Sequence, residues 1–88
     1  MKIKKGFTLR DVAGEKIIVA TGDAAKAFNG IINVNDTGAF IFSCLSEDVS
    51  EQQLAEKVAA EYGISADAAK KDFAPFLATL RKADCIDE

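Results

Sequence analysis

The chain has 88 residues, 49% of them apolar and 28% charged, the balance of one small globular domain rather than of a disordered segment. It contains no histidine, which removes His-based acid–base catalysis, Ser–His and Cys–His nucleophile pairs and His-ligated metal sites. Fourteen acids against eleven bases leave a net charge of −3, unfavourable for a nucleic-acid partner, and no apolar run approaches the ~20 residues that span a bilayer.

The start, Met1 to Gly6, is basic but leads into no apolar signal core, so a cytoplasmic protein is expected. Cys44 and Cys85 are well separated and form no Cys-x-x-Cys pair, which fits reduced cysteines in such a compartment.

Strands come first. Phe7 to Val12 alternates in part, with Phe7 and Leu9 on one face. Ala13-Gly14 is a two-residue turn signal, and the β-branched run Lys16 to Ala20 reads as the returning strand of a hairpin. Thr21 to Asn29 is a connection with room for a short helix, punctuated by Gly22 and Asn29-Gly30. Gly30 to Val34 is a third short strand, with the Ile32 and Val34 face turned to the core.

The remainder is helical. Asn35 or Asp36 can cap a first helix whose Ala39-Phe-Ile-Phe42, Cys44 and Leu45 are apolar almost all round, placing it mid-domain. Ser50 with Gln53 forms a capping box for the second, and Val49 with Leu54 a hydrophobic staple. The second helix should bury Leu54, Ala55, Val58, Ala59 and Tyr62, and end at Gly63 in a left-handed cap. Ser65 then caps a third helix, from about Ala66 to Ala83. Its apolar stripe is Ala69, Phe73, Phe76, Leu77 and Leu80, and Pro75 should introduce a kink or a local hydrogen-bond defect. Three strands and three helices predict a single α+β domain over residues 1–88, winged-helix-like, with a three-stranded antiparallel N-terminal sheet.

Parts for catalysis are missing. The carboxylates are scattered over solvated faces, the glycines stand singly, and no phosphate-cradling loop is present. Cys44 falls near a helix C-terminus, which does not activate a thiol, and Cys85 sits near the chain end, where exposure is expected. We read no enzyme, no metal site and no cofactor site.

A DNA-binding regulator is the first alternative. Lys70, Lys71, Arg81 and Lys82 lie on the third helix, but no base falls between Asp72 and Leu80 and no wing follows. The more informative feature is the third strand. Its only polar side chain is Asn33, and it carries no charge or proline to blunt an exposed edge. Such an edge suits an added peptide strand, or a structural module pairing with its own copy.

The segments Val34-Asn-Asp-Thr-Gly-Ala-Phe-Ile41, Leu54, Tyr62-Gly-Ile64 and Asp72-Phe-Ala-Pro-Phe-Leu77 with Leu80 resemble the PqqD-like family. The resemblance runs from about Phe7 to Ile86. It departs near the end, where the family commonly has a glycine and this chain has Asp84, a residue that tolerates left-handed geometry. The resemblance implies a non-catalytic recognition element, and we expect a monomer or weak dimer. Its partners would be the leader segment of a ribosomally made precursor peptide and a modifying enzyme, often a radical S-adenosylmethionine protein. The products include pyrroloquinoline quinone.

In that family the leader adds beside the third strand, against the third helix. Here this puts the pairing edge at Ile31, Ile32, Asn33 and Val34. Helical spacing groups Lys70, Ala74, Leu77 and Arg81 on one flank of the third helix. On that flank Ala74 would admit a leader side chain, Leu77 would supply apolar floor, and Lys70 and Arg81 would hold leader carboxylates. The other flank, with Asp72 and Thr79, is the alternative.

Overall fold

Ala13 and Gly14 both have positive φ, 54° and 84°, the signature of a two-residue type I′ hairpin turn. The Asp11 carboxylate braces that turn, accepting from the Gly14 amide at 3.1 Å. These details come from a computed structural model of the chain, which describes residues 1–22, 25 and 30–88. The expected short helix between Thr21 and Asn29 falls largely outside the described residues.

Among the described residues the elements in chain order are β1 (Lys2–Ile3), β2 (Phe7–Val12), β3 (Glu15–Ala20), β4 (Ile31–Val34), α1 (Asp36–Cys44), α2 (Glu51–Tyr62), α3 (Ala66–Lys82) and β5 (Ile86–Asp87). Strands β2, β3 and β4 form one antiparallel sheet in that spatial order, as the sequence predicts, and three helices follow.

The turn fixes which main-chain groups face which neighbour. In a two-residue hairpin the closing pair, here Val12 and Glu15, exchanges hydrogen bonds, and pairs then alternate along the ladder. Gly6 and Thr21 fall on the bonded phase at the far end, and the Thr21 amide donates to the Gly6 carbonyl at 2.7 Å. Glu15, Ile17 and Val19 therefore bond to β2, while Lys16, Ile18 and Ala20 turn their main chain to β4. Lys16 pairs with Val34 and Ile18 with Ile32. Ile32 and Val34 thus bond inward, and the N–H and C=O of Ile31 and Asn33 point out of the sheet.

The sheet's inner face and the three helices enclose a core centred on Ile18, Ile41, Leu54, Val58, Phe73, Leu77 and Leu80, each at most 1% exposed. Both halves of the α2 capping box form: Ser50 Oγ accepts from the Gln53 amide at 3.0 Å, and Gln53 Oε1 from the Ser50 amide at 2.8 Å. Gly63 ends α2 with φ 65° and ψ 37°, and Ser65 caps α3 through the Ala68 amide. Helix α3 passes Pro75 without interruption.

Two expectations are corrected, and one element is added. Tyr62 is not in the buried stripe: it is 42% exposed and packs edge-to-face on Phe40, ring centroids 5.8 Å apart, because the stripe drifts toward solvent in the last turn of α2. Cys85 is not exposed but fully buried, because the chain turns back at Asp84 (φ 58°) and closes β5 onto β1. This terminal β1–β5 pair, Ile3 opposite Ile86, is an added element; two-residue strands leave no period to read. It is tied down by Ile3 donating to the Leu45 carbonyl at 2.9 Å and Lys4 to the Cys85 carbonyl at 2.7 Å. No helix among the described residues is long and apolar enough to cross a membrane.

Candidate functional site

Strand β4 ends its sheet, and among the described residues no further strand pairs with it. Ile32 and Val34 are half-buried against the core, while Ile31 is 58% exposed and Asn33 is exposed. With main-chain donors and acceptors of Ile31 and Asn33 directed outward and no charge or proline within the strand itself, the edge is chemically open.

The helices that follow hold this strand in place. Asn35 caps α1 through the Gly38 amide at 2.8 Å. Asp36 is left free for Lys16 of β3, whose Nζ donates to it at 2.6 Å across the end of β4. That hydrogen bond, reinforced by the charge pairing, lowers the Asp36 carboxyl pKa and raises that of Lys16.

A groove runs between β4 and α3. At one end Ile31 and Ile32 face Thr79, Lys82 and Ala83, and the surface there is mainly apolar. At the other, Asn33 and Val34 face Asp72, Pro75 and Phe76. The two ends show that β4 and α3 run in opposite directions. Pro75 lacks the donor that would close its helical turn, and its carbonyl accepts from the Thr79 hydroxyl at 3.1 Å.

The predicted residues separate into two groups. Ile31, Ile32, Asn33 and Val34 all line the groove. Lys70, Ala74, Leu77 and Arg81 do not. At 3.6 residues per turn that flank lies on the far side of the buried stripe from Asp72, Pro75, Thr79 and Lys82. Leu77 is fully buried in the core and offers no floor to a guest. Arg81 turns to the C-terminal tail, donating to both Glu88 carboxylate oxygens at 3.1 to 3.3 Å; this pairing raises its pKa, with Glu51 of α2 adding to the shift. Lys70 is half-buried and Ala74 exposed, both on that same flank. The i, i+3, i+4 spacing is the same on either flank, so only the side on which β4 packs could choose between them.

The thiols are quiet. Burial raises the Cys44 pKa, and pushes that of Cys85 up to about 11. Among the described residues no three acidic or thiol side chains converge as metal ligands.

An antiparallel three-stranded sheet with one open edge, backed by three helices, defines a small winged-helix-like α+β domain. Its notable surface is a strand edge beside a helix. The family model described as coenzyme PQQ synthesis protein D (PqqD) matches residues 8–86, and the chain belongs to that family. Among solved structures, TbiB1 in complex with the TbiA(beta) leader peptide has a similar fold, with TM-score 0.74 and 18% identity over 99% of this chain and 95% of that one. No curated protein matches.

Proposed function

We propose that this protein binds the leader segment of a ribosomally synthesised precursor peptide by strand addition at β4 and presents it to a separate modifying enzyme. A radical S-adenosylmethionine protein is the enzyme class we favour, and the protein itself performs no chemistry. One observation carries this reading: the N–H and C=O groups of Ile31 and Asn33 face outward along a groove walled by α3. Membership of the PqqD family and the leader peptide bound to the structurally similar TbiB1 support it. A guest strand would satisfy those main-chain groups and rest side chains against Ile32, Phe76 and Ala83.

Amide hydrogen exchange tests it directly. In the free protein the Ile32 and Val34 amides should be protected by β3 and those of Ile31 and Asn33 should exchange freely. Adding the leader of a precursor encoded beside a modifying enzyme should protect Ile31 and Asn33. Exchange at those two amides unchanged at saturating peptide would overturn the reading. Asn33→Pro removes an outward donor without touching the β3 ladder, so it should fold and bind about threefold to tenfold more weakly.

A further inference from the structure

The groove is charged at its two ends and with opposite signs. Asp72 closes the end beside Asn33 and Val34, and Lys82 the end beside Ile31 and Ile32. Both side chains are exposed. The ion pairs among the described residues join the Met1 ammonium to Asp48, Lys4 to Asp84, Lys16 to Asp36 and Arg81 to Glu88. Asp72 and Lys82 take no part in any of them, whereas Asp36, the acid next to the Asp72 end, is already matched by Lys16.

Resting on the strand-addition reading, we infer that the groove selects a guest with a basic residue about four positions before an acidic one, the base against Asp72 and the acid against Lys82. Spacing follows from two repeat lengths. Ten residues of helix separate Asp72 from Lys82, about 15 Å along the axis. Four residues of extended guest cover about 14 Å, and residues i and i+4 of a strand share one face. Between the two charges the helix offers Pro75, Phe76 and Thr79, whose hydroxyl is turned to the Pro75 carbonyl, so the wall there carries no charge and the intervening residue on that face, i+2, should be apolar.

Order follows from direction. The sheet is antiparallel throughout, and an antiparallel addition keeps the better-aligned hydrogen bonds. Such a guest begins beside Val34 and Asp72 and ends beside Ile31 and Lys82. The basic residue therefore comes first. A guest of the same composition with acid before base would place like charges together at both ends.

The test uses random 12-residue peptides selected by display against the intact protein, followed by synthesis of the enriched sequences. Enriched peptides should protect the Ile31 and Asn33 amides and carry Lys or Arg four positions before Asp or Glu. Exchanging the two charged residues within a peptide should weaken binding about threefold to tenfold, the scale of two exposed ion pairs, and 0.5 M salt should shrink that gap. The double variant Asp72→Lys with Lys82→Glu, both positions exposed and outside the core, should prefer the exchanged peptide. Peptides that protect those amides but ignore charge order and the double variant would overturn the selectivity and leave strand addition standing. A selection yielding no peptide that protects them would overturn both.

Discussion

Gly38 in the first turn of α1 lies so close to Val34 of β4 that a Cβ at position 38 would sit 3.2 Å from the Val34 Cβ and 3.5 Å from Cε1 of Phe76. Hydrogen at that position lets the helix lie against the edge strand and against the groove wall together. Gly38→Ala gains helix propensity of up to about 1 kcal/mol, but Val34 must give way by a few tenths of an ångström. We expect these effects to offset each other within about 1 kcal/mol. Gly38→Val adds two further heavy atoms in the same space and should destabilise by about 1–3 kcal/mol, the usual cost of overpacking. Denaturant melts of the two variants check this; a Val variant as stable as the Ala one would show that α1 can move away from β4.

Leu77 and Ala74 are neighbours on one side of α3 with opposite fates. Leu77 is fully buried and Ala74 exposed. Leu77→Ala should cost about 2–5 kcal/mol, since the transfer energy of the side chain is lost and a cavity remains. A domain this size has roughly 5–15 kcal/mol in total, so the variant should melt far earlier, and any loss of peptide affinity should track the unfolded fraction. Ala74→Ser should change stability by less than about 0.5 kcal/mol and leave peptide affinity unchanged. Circular dichroism melts and peptide titrations of both variants separate a core role for Leu77 from a groove role.

These two residues also show where sequence reading stopped. Element order, the hairpin, the Ser50 capping box and the Gly63 cap are local signals, complete within a few residues, and they were legible. So was the outer edge, because β4 carries no device to close it. The side of α3 facing β4 depends on the hand with which distant elements pack, and both flanks have equal spacing. Cys85 and the β1–β5 pair depend on contacts between the two ends of the chain, to which no local pattern points. Asp84, in contrast, takes the left-handed conformation its residue type permits.

Ser50 and Gln53 satisfy each other's backbone donors at the start of α2. Ser50→Ala leaves the Gln53 amide without its side-chain acceptor and should cost about 1 kcal/mol. For a domain of this length that corresponds to a fall in Tm of about 4–8 °C. Ser50→Asp keeps an acceptor and adds negative charge at a helix N-terminus, so its Tm should match the parent within about 2 °C. A Ser50→Ala variant melting with the parent would mean that water replaces the cap at no cost.

The Cys85 thiol supplies a signed pH dependence. Burial raises its pKa from 9.0 to about 11 in the folded chain, so between those values the folded protein holds a proton that the unfolded chain has released. Stability from this group is complete below pH 9 and falls as pH rises, by about 1.4 kcal/mol per unit, until the folded thiol itself ionises. Cys85→Ala removes that dependence, at a cost for the lost side chain that pH does not alter. Lysine and tyrosine ionisation acts on both proteins, so the useful quantity is the difference between their urea unfolding free energies measured from pH 8 to 10.5. That difference should narrow as pH rises. A constant difference would mean that the Cys85 thiol ionises as readily in the folded chain as in the unfolded one, and that the β1–β5 closure admits solvent to it.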